Sequence, residues 1–259
     1  MNAFYNKKAF KVISGITNFD PRKVENVVRA ANEGGATFVD IACDPNLVQL
    51  AKSVGKNVGV CVSSIQPEKF IPAVQAGADL LEIGNYDEFY DKGIRFTAED
   101  VLQLTKKTKQ LLPHSLLSVT IPHTLNLEEQ AKLGKQLEDI GVDIIQTEGK
   151  VSADLAQTTG IETLIEKAAS SIAAAYVLSR ATRIPILCSS GLSHVTAPMA
   201  ISAGASGVGV GSMINKLSSL NEMLDAVNLI SAGMGWKEVR APAPFENSFK
   251  SSSVQIFEN

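Results

Sequence analysis

Asp40, Glu82, His123 and Glu148 each fall at or near the end of a short apolar run, and they are residue types that move protons near neutral pH. Asp40 in FVDIA and Glu82 in LLEIG hold the same position in their runs. Two carboxylates facing one partly dehydrated space have their pKa values pushed apart, so that one serves as acid and the other as base. The competing use of the pair is a buried ionic network with Lys11. Glu148 lies just beyond Gln146, whose amide suits a hydrogen bond to a ligand or to the core. His123, in Thr120-Ile121-Pro122-His123-Thr124, is placed to shuttle a proton or to cap its own loop. His194 stands beside a Gly/Ser turn, and His114 follows Pro113 in what reads as a surface turn. Lys150 has the position of a Schiff-base lysine, although a solvated loop residue fits it better. Cys61 and Cys188 read as small core residues, and Asp44 beside Cys43 disfavours a thiolate. No His-x-x-His or Cys-x-x-Cys pattern occurs, so no metal site is expected.

The densest signal runs from Ile184 to Ile214, where Ser189-Ser190-Gly191 and Gly209-Val210-Gly211-Ser212 each close an apolar run. Glycine there lets main-chain amides approach an anion, and a helix starting after Gly211 adds free N–H groups. Tight packing of strand on helix is the other use of those glycines.

These residues need a scaffold, and the chain announces one. GATFVDIA from Gly35, GADLLEIG from Gly77, GVDIIQTE from Gly141 and GASGVGVG from Gly204 share a helix-ending glycine followed by a short apolar run. With four more such runs, the predicted parallel strands lie near 10–16, 36–42, 57–63, 78–84, 115–122, 142–148, 184–190 and 205–211. Helix-period segments separate them at 21–34, 42–54, 67–76, 98–112, 127–140, 161–181, 197–203 and 219–232. Strict alternation over eight units predicts an α/β protein with a single (β/α)₈ TIM barrel spanning 1–236, followed by an irregular tail at 237–259. Strand parity turns Asp40, Glu82, Gln146 and Gly209 inward, with Ala42, Gly84, Glu148 and Gly211 one step nearer the mouth. Ser118, Thr120, Cys61, Ser63 and Lys11 are inward as well. The aromatic stretch Asn85–Phe96 and the polar stretch Asp154–Gly160 follow strands four and six at the catalytic face, where they read as covering loops.

Composition narrows the function classes. The 259 residues are 45% hydrophobic and carry a net charge of −3, without the basic stripe that nucleic acid or a membrane surface calls for. Nowhere is an apolar run long enough to span a bilayer. Three cysteines far apart suit a reducing compartment.

The stretch around Gly191 and Gly211 resembles the ribulose-phosphate-binding barrel superfamily, which includes tryptophan synthase alpha chains and thiazole synthases. That resemblance implies a phosphate held by main chain at Gly191, Leu192, Gly211 and Ser212. Leu81-Glu82-Ile83-Gly84 is also similar to the strand end bearing the catalytic glutamate of tryptophan synthase alpha chains, although it falls on a different strand. KVISGITNF, FVDIACDP, EIGNYDEFY, SVTIPHTL, DIIQTEGK, CSSGLSHVTAPMAI and GASGVGVGS follow one another over 11–212. Together they resemble the hypothetical chloroplast reading-frame family numbered twenty-three, which implies a plastid stroma or a cyanobacterial cytoplasm. The expected function is an enzyme of isomerase or lyase type on a small phosphorylated metabolite, working by acid–base chemistry and requiring no cofactor. Two alternatives use the same cup: an FMN-binding oxidoreductase, and a non-catalytic regulatory protein that binds a phosphorylated ligand. A homo-oligomer is left open, and neither nucleic acid nor membrane is expected as a partner.

Overall fold

A computed structural model describes residues 1–90, 92–149 and 160–236. The tail at 237–259, Lys150 and residues 154–159 of the second covering loop lie outside the described residues.

Eight strands form: β1 (Ala9–Ile13), β2 (Phe38–Ala42), β3 (Gly59–Ser64), β4 (Leu80–Ile83), β5 (Leu117–Ile121), β6 (Ile144–Thr147), β7 (Ile186–Ser189) and β8 (Gly207–Val210). They pair in chain order, all parallel, and β8 closes on β1 through Ala9↔Gly207 to Val12↔Val210. The protein is a TIM barrel. Its outer helices are α2 (Pro21–Gly34), α3 (Pro45–Val54), α4 (Phe70–Gln75), α6 (Ala98–Leu111), α7 (Leu127–Ile140), α8 (Ile161–Ala181), α9 (Ala197–Ser202) and α11 (Leu220–Gly233). Short helices α1 (Asn2–Tyr5), α5 (Asp87–Tyr90) and α10 (Ser212–Asn215) lie beside them. Among the described residues no helix is long and apolar enough to cross a membrane.

Local chemistry explains where elements begin and end. The Asp20 side chain accepts from the amides of Arg22 and Lys23 ahead of Pro21, and Gly35 ends α2 in the left-handed region. The helix expected from 42 starts instead at Pro45, because Asp44 turns its carboxylate onto the amides of Asn46 and Leu47. The first strand, expected to reach 16, stops at Ile13, and Gly15 at φ 115° carries the chain away.

The barrel interior changes character along its axis. At the N-terminal ends of the strands Ala9, Cys61, Leu80, Ile144 and Leu187 form an apolar plug with Phe4 of α1. Above it the inward positions are polar and dry. Lys11 Nζ lies 2.9 Å from Glu82 Oε2, and both side chains are buried. Thr120 Oγ1 donates to Glu82 Oε1 at 2.6 Å and accepts from Gln146 Nε2 at 3.0 Å. Ser63 Oγ reaches both oxygens of Asp40, and Asn85 Nδ2 donates to Asp40 Oδ2. Burial alone would lower the Lys11 pKa. The charges of Glu82 and Asp40 beside it outweigh that, holding the ammonium well above its usual range. Burial raises the Asp40 carboxyl, with Lys11 opposing the shift and Glu82 adding to it. Cys188 packs between sheet and helices, where burial pushes its thiol up to about 12.

Lys11→Met is expected to destabilise the barrel by about 3–5 kcal/mol in urea unfolding, because it leaves Glu82 as an unpaired buried charge. Lys11→Met/Glu82→Gln together are expected to recover part of that loss, since Glu82 is then neutral and Asp40 keeps its hydrogen bonds to Ser63 and Asn85.

Candidate functional site

Above the buried polar layer, at the C-terminal ends of the strands, a cavity of about 650 Å³ opens. Its floor includes Thr120 and Gln146. One wall comes from the turns after β7 and β8, the other from the loop after β4 and the end of β6.

The β7–β8 wall carries Ser190, Gly191, Leu192, Gly211 and Ser212, with Lys167 of α8 and Lys216 beside them. Gly209 lies on the cavity surface below. The β6–β7 ladder is short, holding Ile145↔Ile186 and Gln146↔Leu187. Beyond it Thr147 Oγ1 accepts from the Ser189 amide at 3.0 Å and donates to the Ser189 carbonyl at 3.2 Å, so a side chain replaces the ladder. Ser190 then adopts φ 81°, a conformation costly for a residue with a Cβ. It is held there by Ser190 Oγ donating to the Gly149 carbonyl and Ser171 Oγ donating to the Ser190 carbonyl. Among the described residues the amides of Gly191, Leu192, Gly211 and Ser212 donate no hydrogen bond.

Two of these glycines have different reasons to be glycine. A Cβ on Gly191 would stand 2.0 Å from the Lys167 carbonyl oxygen, and its φ is 71°, so packing alone requires glycine there. At Gly211 an added Cβ would meet Asn215 and Ile13 at ordinary contact distances of 3.6 Å. Packing does not explain Gly211. What a Cβ there would crowd is the cavity.

The opposite wall is acidic, with Asp87, Glu88 and Glu148 on the cavity surface. Glu148, 5% exposed, is the point on which the loops after β4 and β5 converge. Its Oε1 accepts from the Asp87 amide at 3.1 Å, and its Oε2 accepts from Tyr90 OH at 2.7 Å and the His123 amide at 3.2 Å. His123 Nδ1 lies 3.1 Å from the same Oε2, and the Tyr90 ring meets the His123 ring edge-on. Burial and the Glu148 charge hold the Tyr90 hydroxyl above its usual range. The loop is also pinned from below, where buried Tyr86 stacks on Phe96 at 4.4 Å. Across the mouth Thr17 Oγ1 donates to Glu88 Oε2 at 3.2 Å, joining the loop after β1 to α5.

The structure therefore brings Gln146, Glu148, Ser190, Gly191, Leu192, Gly209, Gly211 and Ser212 to one cavity, with His123 behind Glu148. It separates Asp40 and Glu82 from them. Both are inward, as parity requires, but both are fully buried and lie beneath the cavity rather than on its wall. Lys11, Thr120, Ser63 and Asn85 occupy their oxygens. Asn85, Asp87 and Glu88 fall in the stretch read as a covering loop without being singled out there, and Lys167 and Lys216 were not foreseen, since nothing in their local sequence marks them as facing the mouth.

Residues 1–240 match the family model described as "Protein of unknown function (DUF561)". Among curated relatives, "Uncharacterized protein ycf23" of Cyanophora paradoxa is 42% identical over 240 residues, covering 92% of this chain and 97% of its own. That of Porphyra purpurea is 38% identical over 231 residues, covering 89% and 86%. Among solved structures, thiamine phosphate pyrophosphorylase from Pyrococcus furiosus superposes with a TM-score of 0.58 at 18% identity, over 89% of this chain and 96% of that one. The (S)-3-O-geranylgeranylglyceryl phosphate synthase from Thermoplasma acidophilum, in complex with its substrate sn-glycerol-1-phosphate, gives 0.61 at 12%, over 90% and 95%. The 3-hexulose-6-phosphate synthase from Salmonella typhimurium gives 0.61 at 13%, over 87% and 98%. At such identities the likeness shows the barrel alone.

The two glycines are separable by stability. Gly191→Ala is expected to cost more than about 1 kcal/mol in denaturant unfolding, from its left-handed backbone and the Lys167 carbonyl. Gly211→Ala is expected to stay within about 0.5 kcal/mol of the parent chain.

Proposed function

Given that the chain belongs to the DUF561 family of proteins of unknown function, we propose that it is an enzyme acting on a small phosphorylated metabolite by acid–base chemistry, of isomerase or carbon–carbon lyase type. The observation that carries this reading is Gly211, a glycine that packing does not require, on a cavity wall where its amide and those of Gly191, Leu192 and Ser212 have no partner among the described residues. Amides without partners, together with Lys167 and Lys216, favour an anion at that wall. Support of a coarser kind comes from the structural neighbours, whose names speak of phosphate esters: thiamine phosphate, glycerol-1-phosphate and hexulose 6-phosphate.

A ligand anchored there by its phosphate extends over Gln146 toward Glu148. Glu148 is the buried titratable group of the acidic wall, and hydrogen bonds to both of its oxygens hold the carboxylate in one orientation for proton transfer. His123 touches Glu148 and not the cavity, so it acts as a positioning residue. Asp40 and Glu82, sealed below, serve this reading by holding the floor rigid and charged. We further propose a plastid stroma or a cyanobacterial cytoplasm as the compartment, on the strength of the algal ycf23 relatives.

A thermal-shift screen with sugar phosphates, sn-glycerol 1-phosphate, FMN and their dephosphorylated counterparts tests the proposal. A phosphorylated ligand at a hundred times its Kd is expected to add about 2.7 kcal/mol of stability, and Gly211→Ala is expected to abolish the shift. For a substrate found this way, Glu148→Gln is expected to keep binding and lose about 10²–10⁴-fold in kcat. His123→Gln is expected to move the pH profile of kcat with less effect on KM. Stabilisation by dephosphorylated compounds alone would overturn the reading, and a yellow, FMN-loaded protein would replace it with a flavin enzyme.

A further inference from the structure

Asp87, His123 and Glu148 come from α5, the turn after β5 and the residue following β6. Their potential ligand atoms all lie within 4.8 Å of one another. His123 Nδ1 is 3.1 Å from Glu148 Oε2 and 3.7 Å from Asp87 Oδ1. Two atoms bound to one cation at about 2.1 Å stand about 3.0 Å apart at an octahedral angle and about 3.4 Å apart at a tetrahedral one. The 3.1 Å spacing falls between those values and the 3.7 Å spacing lies a few tenths of an ångström beyond the larger. Two carboxylates and one imidazole form a donor set for a divalent first-row metal.

A second observation comes from the same cavity. Gln146, one inward position below Glu148 on β6, is 1% exposed and lines the same cavity, yet its Oε1 has no partner among the described residues. A buried oxygen left unpaired costs about 1–3 kcal/mol. A water molecule carried on a cation above it would donate the missing hydrogen bond. Glu148 is oriented by Tyr90 OH and the Asp87 amide, the kind of outer support that metal-binding carboxylates receive.

We propose that Asp87, His123 and Glu148 form a divalent-cation site at the barrel mouth, taking Mn²⁺, Co²⁺ or Zn²⁺. Three protein ligands leave coordination positions open. Asp87 and Glu148 both lie on the cavity wall, so those positions face the bound molecule and take its oxygen atoms, a carbonyl or a hydroxyl. The site then fixes a tautomer: His123 presents its Nδ1 lone pair to the metal and carries its proton on Nε2. Without a metal, the same 3.1 Å contact is an ordinary hydrogen bond with Nδ1 protonated. The site does not rest on the phosphate reading, because it binds the metal by itself.

The test uses the full chain, stripped with a chelator and kept in a phosphate-free buffer. It is titrated with Mn²⁺, followed by the electron paramagnetic resonance of the free ion, and with Co²⁺, followed by visible absorption. One saturable equivalent per chain is expected. Both His123→Gln and Asp87→Asn are expected to weaken it at least about tenfold, with thermal unfolding confirming that each variant folds. Glu99→Gln, at an exposed position of α6, is expected to bind as the parent does. Absence of a saturable equivalent in the parent chain, or full affinity in both folded ligand variants, overturns the proposal.

Discussion

One carboxylate turns the open end of the barrel into a site. Glu148 accepts hydrogen bonds from α5 and from the turn after β5, so the loops of two neighbouring strands are fixed to the end of a third. Hydrogen bonds to an ionised acceptor are about twice as strong as neutral ones, and in a pocket with little water they are stronger still. Without that anion, the segment from Asn85 to Tyr90 would keep its Asn85 and Glu88 side-chain hydrogen bonds and the burial of Tyr86 against Phe96, but Tyr90 and the Asp87 amide would lose the acceptor they share. The acidic wall exists because Glu148 is there to gather it.

The cavity that results is electrically polar. Unpaired amides with Lys167 and Lys216 face one way, while Asp87, Glu88 and Glu148 face the other. A ligand with an anionic end can enter this field in one orientation only. The floor contributes by being dry and immobile. Lys11, Glu82, Thr120 and Gln146 form a continuous run of charge and hydrogen bonds across the barrel, so Gln146 is held under the cavity with its amide nitrogen already committed. A rigid support of this kind is what precise placement of a reacting group demands.

The scaffold was readable because its signals are local. Gly35, Gly77, Gly141 and Gly204 all adopt the left-handed conformation that ends a helix, and each introduces a strand. Alternation then fixed inward and outward, and Lys11, Asp40, Glu82, Thr120 and Gln146 all point inward. The same alignment put Glu148 one step nearer the mouth than Asp40 and Glu82, but whether a given step is open or sealed was beyond that reasoning. It depends on the stagger of a closed barrel, where Ile13 pairs with Asp40 and Ser63 with Glu82. This stagger places Asp40 and Glu82 under the floor and leaves Glu148 at the mouth. The convergence of Asp87, His123 and Glu148 left no trace in sequence either, since metal-binding patterns are read at short spacings and these three meet only through folding. Asp87 reaches the mouth because Tyr86 is buried beside it, a consequence of packing rather than of pattern.

The most direct measurement of whether this mouth is built for an anion is a crystal structure of the protein soaked in sulfate or phosphate. The predicted result is an oxyanion on the amides of Gly191, Leu192, Gly211 and Ser212, with the Lys167 and Lys216 side chains turned toward it. An oxyanion bound elsewhere, with that corner filled by side chains and its amides paired within the protein, would contradict the phosphate-anchored site and leave the barrel with no assigned ligand.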